Sequence, residues 1–207
     1  MTTFSTSSII IALYSIIDSS FPACSVSKPK QTLTVPVHGC YNDQQFPFDS
    51  TQMEAFTKTV ILFIAEGAYA GRSPFAPGTA GTIVGVLLYF LIRNCSPVWY
   101  LAVCLGTIVI GTWAAGRAEE ILGKKDASPI VIDEIAGFFV SMFMVPAGWG
   151  YVVAGFFLFR LFDIWKPWPL QQVQDLHGGP GIMLDDVGAG IYTNIVLQGA
   201  AFLAARG

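Results

Sequence analysis

Two long runs without charged side chains constrain the fold of this chain more than any other feature. Val98 to Ala115 is 18 residues long and carries no charge, which is near the minimum length for a helix that crosses a bilayer. Val187 to Ala205 is also long enough to cross. Charged residues make up only 12% of the chain and the mean hydropathy is +0.58, values typical of a membrane protein. We therefore expect an all-α fold, a membrane-embedded helical bundle.

Shorter apolar segments predict helical hairpins. Thr82 to Ile92 is separated from the first long run by a break at Arg93 to Pro97, so these two segments form one hairpin. Ile135 to Phe162 is interrupted at Pro146 and at nearby glycines, which favours two helices joined by a turn. Each arm has about 14 residues and reaches about 20 Å, short of the roughly 30 Å hydrocarbon core. We expect this second hairpin to be re-entrant, entering and leaving on the same side.

The first 52 residues differ in kind from the remainder. They are rich in Ser and Thr, and their one apolar run, Ile9 to Ile17, is too short to span a bilayer as a helix. A disordered or non-native extension is favoured over a signal peptide, because no Lys or Arg precedes that run. We therefore divide the chain into an N-terminal extension, residues 1–52, and one helical membrane domain, residues 53–207. Met53 is a candidate for the natural start.

Charge and cysteine content narrow the classes of function. The net charge is −3 and the sequence has no basic stripe with interleaved aromatic residues, so nucleic-acid binding is not expected. The four cysteines have neither metal-ligand spacing nor the density of a disulfide scaffold. We therefore assign the cysteines no chemistry.

Five carboxylates border the apolar segments. Asp133 and Glu134 open the second hairpin, Asp163 ends it, and Asp185 and Asp186 precede the last apolar run. The helix dipole accounts for a single acid at a helix start, but an acid at the centre of a bilayer costs about 2.5 to 3.5 kcal/mol and calls for a partner. Oxygen ligands without a Cys or His cluster favour Mg²⁺. The two hairpins bring all five to one face, where we expect them to bind Mg²⁺ and to act in catalysis.

Two cations accompany Asp163. Arg160 can grip a phosphate with two parallel N–H bonds, and Lys166, just before a proline, can swing toward an anion as a point charge. A purely structural salt bridge with Asp163 is the alternative.

His177, in a glycine-rich loop, is either a phosphate ligand and general acid or a solvated loop histidine. Thr79 either contacts phosphate or caps the following helix.

The distribution of basic residues predicts the orientation. With both hairpins folded in this way, one face carries six cations and the other only Arg93 and Arg206, so the positive-inside rule makes the cation-rich face cytoplasmic. Trp165 and Trp168 suit a membrane interface on that face. The six cations are Arg72, Arg117, Lys124, Lys125, Arg160 and Lys166.

Four motifs, taken together, resemble those of the bacterial phosphatidylglycerophosphatase A family. They are SPFAPGTAGT (73–82), IVIDEIAG (130–137), FRLFDIWKPWP (159–169) and HGGPGIMLDDVGAG (177–190). The resemblance implies Mg²⁺-dependent removal of the terminal phosphate from phosphatidylglycerophosphate, giving phosphatidylglycerol, at the cytoplasmic face of the bacterial inner membrane. It also implies an all-helical fold around a central helix. The family's catalytic motif positions are occupied here by Asp133, Glu134, Asp163, Lys166, Asp185 and Asp186.

Acidic residues in a membrane protein have a second interpretation, a cation transporter or channel. A transport pathway requires acids spaced through the depth of the bilayer, whereas these acids collect at one boundary, which favours the enzyme. A phosphotransferase that uses a nucleotide-activated lipid would need a spaced Asp-Gly and Ala-Arg pattern, which the sequence lacks. A purely structural membrane protein has no need of paired aspartates.

Overall fold

The computed structural model describes residues 50–125, 127–174 and 178–206. Within these ranges the chain forms seven α-helices, one short 3-10 turn at Ala70–Arg72 and no strand, which confirms the expected all-α fold. All of them belong to one compact unit. In chain order the helices are α1 Ser50–Ala65, α2 Pro77–Ile92, α3 Pro97–Leu122, α4 Ile132–Ser141, α5 Trp149–Trp165, α6 Leu170–Gln174 and α7 Gly179–Ala204.

Two of these helices, α3 and α7, are long and apolar enough to cross a membrane. Each has 26 residues and is therefore about 39 Å long at 1.5 Å per residue. Only 28% and 22% of their most apolar windows are buried inside the protein, so most of their apolar surface faces outward. The shorter α2 is also apolar, and its 16 residues reach about 24 Å.

Backbone conformation sets the end of α1 and the start of α2. Helix α1 ends at Ala65, because the three residues from Gly67 to Tyr69 adopt left-handed backbone conformations. Helix α2 begins at Pro77, directly after Ala76, which is also in a left-handed conformation.

The two long helices also extend beyond their apolar runs. Helix α3 continues past Ala115 through polar residues to Leu122 and ends at Gly123, whose φ is +64°. Asp185 and Asp186 lie inside α7 rather than before it, because that helix starts at Gly179. The aspartate pair is therefore held by regular helical backbone instead of a loop.

The second hairpin consists, as expected, of two helices joined by a turn. Its first helix, α4, has only 10 residues, of which eight are buried. It packs against α2, α3, α5 and α7, and so α4 is the central helix that the family resemblance implies. The acidic residues at its start therefore lie within reach of several neighbouring helices.

Glycines let α4 and α7 approach closely. A Cβ atom on Gly137 would lie 2.7 Å from the carbonyl oxygen of Asp186, and a Cβ on Gly190 would overlap the backbone of Gly137. Neither position can hold a larger residue unless the helices separate. This backbone contact brings Asp186 beside the acidic start of α4.

Polar side chains satisfy the carbonyl groups at the far end of α4. The Tyr100 hydroxyl donates to the Phe139 carbonyl at 2.8 Å. The Asn194 amide of α7 donates to the carbonyls of Ser141 and Phe143 at 3.0 and 2.8 Å, and Gln198 donates to Phe143 at 3.2 Å. A short helix can therefore end inside an apolar body without leaving its last carbonyl groups unpaired.

Candidate active site

A cavity of about 600 Å³ opens where the N-terminal ends of α2, α4 and α7 meet the C-terminal end of α5. The structure therefore brings together all five predicted metal ligands and both cations that flank Asp163, although they come from separate parts of the chain. The charged residues of the lining are Lys125, Asp133, Glu134, Arg160, Asp163, Lys166, Asp185 and Asp186. A second groove, of about 510 Å³ along α1 and the end of α3, contains none of the predicted site residues.

Three carboxylates form the tightest part of the cavity. Asp133, Glu134 and Asp186 each offer an oxygen, and these atoms all lie within 4.8 Å of one another. Asp133 and Asp186 are buried, only 7% and 3% exposed, and Glu134 is partly buried, with 12% of its side chain exposed. One buried oxygen of each has no hydrogen-bond partner among the described residues: Asp133 Oδ1, Glu134 Oε2 and Asp186 Oδ2. Burial first, and then the charge of Glu134, raise the pKa of Asp133.

These three carboxylates fit a divalent cation. Buried acids of like charge repel one another, and a polar atom that is buried without a partner is costly. A cation bound between the three would satisfy the unpartnered oxygens and offset the repulsion. Mg²⁺ takes oxygen ligands of this kind, so the donor set suits the metal expected from the sequence. Asp163 and Asp185 instead have cationic partners, although their roles as ligands stay predictions.

The ion pairs expected around Asp163 form in part. Arg160 Nη1 donates to Asp163 Oδ2 at 2.6 Å and lies 3.9 Å from Glu134 Oε1, while Arg160 Nε is buried and unpartnered among the described residues. Lys166 makes its short ion pair with Asp185, not with Asp163. Both cations are therefore held by carboxylates at the cavity, and their binding of phosphate stays a prediction.

Lys166 stays protonated in this setting. It follows the last turn of α5 in a left-handed conformation with φ 45°, which turns the chain toward α6. Burial lowers the pKa of Lys166, but the bond to Asp185 and the charges of Asp185, Asp186 and Asp163 outweigh it, so its pKa is raised. The site therefore keeps a full positive charge beside its carboxylates.

The start of α2 supplies a residue that the sequence reasoning missed. Gly78 lines the cavity, and a Cβ there would come within 3.0 Å of both Arg160 Nη atoms and closer still to Glu134 Oε1. A larger residue at this position would force these two side chains to move. The signal lay in the Ala76-Pro77-Gly78 triplet, where a proline at a helix start precedes a residue without a side chain.

One predicted phosphate contact, Thr79, stands apart from this cluster. Thr79 follows Gly78 but does not line the cavity, and it is not the helix cap, because the N-cap of α2 is Ala76. Its contact with phosphate stays a prediction. His177 lies outside the described residues.

Three carboxylates with unpartnered oxygens beside an arginine and a lysine are an arrangement found in enzymes that transfer phosphoryl groups. Comparison with known proteins agrees with this class. The sequence model of the family Phosphatidylglycerophosphatase A matches residues 63–201, a range that contains every predicted site residue. The chain belongs to the phosphatidylglycerophosphatase A family, and it is an enzyme, a phosphoric monoester hydrolase.

Individual relatives are similar over most of their length. Phosphatidylglycerophosphatase A of Escherichia coli is 35% identical over 136 residues, 65% of this chain and 79% of the relative. Its Haemophilus influenzae counterpart is 37% identical over 143 residues, 66% of this chain and 86% of the relative. A protein of Bacteroides thetaiotaomicron, provisionally named a phosphatidylinositol-3-phosphatase, is 40% identical over 151 residues, 69% of this chain and 94% of the relative. No solved structure matches the chain.

Proposed function

We propose that this protein is a Mg²⁺-dependent lipid phosphatase that hydrolyses phosphatidylglycerophosphate to phosphatidylglycerol and phosphate. The observation that carries the proposal is the convergence of three carboxylates with unpartnered oxygens beside Arg160 and Lys166 in one cavity. A cation channel would need acids distributed along a path. These acids are gathered in one cavity, which does not support that alternative.

The names of the relatives support the choice of substrate. Two of them are phosphatidylglycerophosphatases, and the third is provisionally named for a phosphatidylinositol phosphate. Both lipids carry a phosphomonoester on a headgroup that is itself joined to diacylglycerol through a phosphodiester. We take phosphatidylglycerophosphate as the substrate because the matching family and two relatives are named for it.

Seven of the eight charged groups in the cavity lining have a role in this reaction. Asp133, Glu134 and Asp186 would hold Mg²⁺, which when bound neutralises charge on the phosphoryl oxygens. Arg160 and Lys166 bind the remaining oxygens of the phosphomonoester, the first as a fork and the second as a point charge. Asp163 and Asp185 hold these two cations in position through their ion pairs.

Positioning of the phosphate and neutralisation of its charge account for most of the rate enhancement. The bond between phosphorus and the glycerol oxygen breaks, a new bond forms between phosphorus and the oxygen of water, and a proton passes to the departing glycerol oxygen. The protein does little covalent chemistry in such a step, because its side chains act by fixing the phosphate and stabilising the developing charge. His177 remains our candidate for the proton donor.

We place the protein in the bacterial inner membrane with the cavity facing the cytoplasm. The apolar outward surfaces of α3 and α7 support embedding. Phe75, Trp165 and Trp168 are exposed beside residues of the cavity lining, as expected of aromatic side chains at a membrane interface. Arg93 and Arg206 follow the opposite ends of α2 and α7, so the cation-rich end is the cavity end, and the positive-inside rule makes it cytoplasmic.

Release of inorganic phosphate tests the proposed function. The purified protein in detergent micelles should release phosphate from phosphatidylglycerophosphate with Mg²⁺, stop in excess chelator, and recover when Mg²⁺ is restored. Phosphatidic acid, offered separately, tests the choice of lipid. No release from phosphatidylglycerophosphate would refute the substrate, and undiminished release in excess chelator would refute the metal dependence.

A further inference from the structure

One cation of the cavity lining has no part in the proposed chemistry. Lys125 lies in the segment between α3 and α4, so it comes from a different wall than Arg160 and Lys166, which belong to the end of α5. The side chain is exposed. Ser128, from the same segment, is also exposed and also lines the cavity.

Lys125 differs from the other two cations in its partners. Arg160 is bonded to Asp163, and Lys166 to Asp185. Among the described residues, Lys125 makes no ion pair and no hydrogen bond. Within the described part of the chain nothing occupies its three N–H donors, so they can bind an anion that enters the cavity.

The proposed substrate offers a second anion for this lysine. The phosphomonoester is held by Arg160, Lys166 and the carboxylate cluster, which are largely buried. The phosphodiester lies between that group and diacylglycerol, so it must sit nearer the opening through which the lipid tails leave. Lys125 and Ser128 are the exposed polar side chains of the lining there.

We propose that Lys125, assisted by the Ser128 hydroxyl, binds the phosphodiester of the lipid headgroup. This inference rests on the proposed function and adds a second phosphate subsite to it. The site then recognises two phosphates at once, one that is hydrolysed and one that stays on the product. Phosphatidic acid has a single phosphate attached directly to diacylglycerol, so it cannot occupy both subsites and is a poorer substrate.

Binding of the product, phosphatidylglycerol, tests the proposed phosphodiester subsite separately from catalysis. Phosphatidylglycerol keeps the phosphodiester and lacks the phosphomonoester, whereas inorganic phosphate resembles only the group that is removed. Replacing Lys125 should therefore weaken binding of phosphatidylglycerol and leave inhibition by inorganic phosphate unchanged. A change that merely disturbed the fold would alter both.

The experiment compares Lys125→Ala and Lys125→Arg with Lys124→Ala. Lys124 is the matched control, because it is the preceding residue, is also exposed and does not line the cavity. The affinity of each protein for phosphatidylglycerol in neutral detergent micelles is measured by tryptophan fluorescence, with diacylglycerol as the lipid without phosphate. A hydrogen bond to a charged group predicts a loss of about tenfold in Lys125→Ala, a smaller loss in Lys125→Arg, and no loss in Lys124→Ala.

Turnover gives the second readout. The kcat/KM for phosphatidylglycerophosphate should fall by about the same factor in Lys125→Ala, mainly through KM, while the inhibition constant of inorganic phosphate stays at its wild-type value. Unchanged affinity of Lys125→Ala for phosphatidylglycerol overturns the inference, and so does an equal loss in Lys124→Ala, which would indicate non-specific surface charge. Failure of the wild type to hydrolyse phosphatidylglycerophosphate overturns the proposed function instead.

Discussion

The replacement Gly78→Ala tests the geometry of the site with a single added methyl group. Gly78 lies in the first turn of α2, and its new Cβ would come within 3.0 Å of both Arg160 Nη atoms and closer to Glu134 Oε1. Ordinary van der Waals contact begins near 3.4 Å. The atoms in the way are the ends of two flexible side chains rather than backbone, so the helix can form while the site must rearrange.

The expected loss of activity follows from how far the side chains of Glu134 and Arg160 must move. Glu134 Oε1 has to move by roughly 1 Å, and an error of about 1 Å in a catalytic group costs about 100-fold in rate. The added methyl group also displaces Arg160, which disturbs its 2.6 Å salt bridge to Asp163. Stability should not fall, since alanine is favoured over glycine in a helix by roughly 0.5 to 1 kcal/mol.

The assay compares Gly78→Ala with Gly106→Ala, in which the new Cβ on α3 meets no atom within 4 Å. We expect kcat/KM for phosphatidylglycerophosphate to fall by about 100-fold in the first variant and to stay at the wild-type value in the second. Both should unfold at or above the wild-type temperature. Near-wild-type activity of Gly78→Ala would refute the reasoning, and so would a loss of activity that accompanies a lower unfolding temperature.

Three further replacements probe other parts of the structure. Asp133→Asn should reduce phosphate release by at least about 100-fold with circular dichroism unchanged, and near-wild-type turnover would remove Asp133 from the site. Arg160→Lys should lower kcat/KM by about tenfold or more, because lysine cannot form the two parallel bonds of the guanidinium; equal activity would mean that the fork is not used. Asn194→Leu leaves the Ser141 and Phe143 carbonyls without this donor and should destabilise the protein by about 1 to 3 kcal/mol, measured by thermal unfolding in detergent, where an unchanged midpoint contradicts that role.

The convergence of the acidic residues was predictable from the sequence, because the sequence indicated where the helices end and turn back. Pro146 and the adjacent glycines indicated a hairpin, and a hairpin must return Asp163 to the end at which Asp133 starts. The structure has this arrangement, with both residues lining one cavity. The directions of successive helices were therefore enough to predict that these acidic residues lie at one end of the helical bundle.

The exact boundaries and contacts were not predictable in the same way. Helix α7 starts at Gly179, although glycine is a poor helix former. A Cβ at that position would overlap the Thr112 carbonyl oxygen of α3, so the packing of the two helices requires glycine there. The Pro180 that follows was the local signal for a helix start. Tertiary packing, which no local pattern encodes, also decided that Lys166 pairs with Asp185 and that Gly78 lies against Glu134.

Cation binding tests the central claim most directly. Mn²⁺, which can stand in for Mg²⁺ at oxygen sites, is titrated into the purified protein and followed by electron paramagnetic resonance. We expect saturable binding in the wild type, its loss in Asp186→Asn, and its retention in Glu120→Gln, whose carboxylate pairs with Arg117 outside the cavity. A wild type without a saturable site, or an Asp186→Asn variant that binds Mn²⁺ as the wild type does, would contradict the claim that these carboxylates hold a metal.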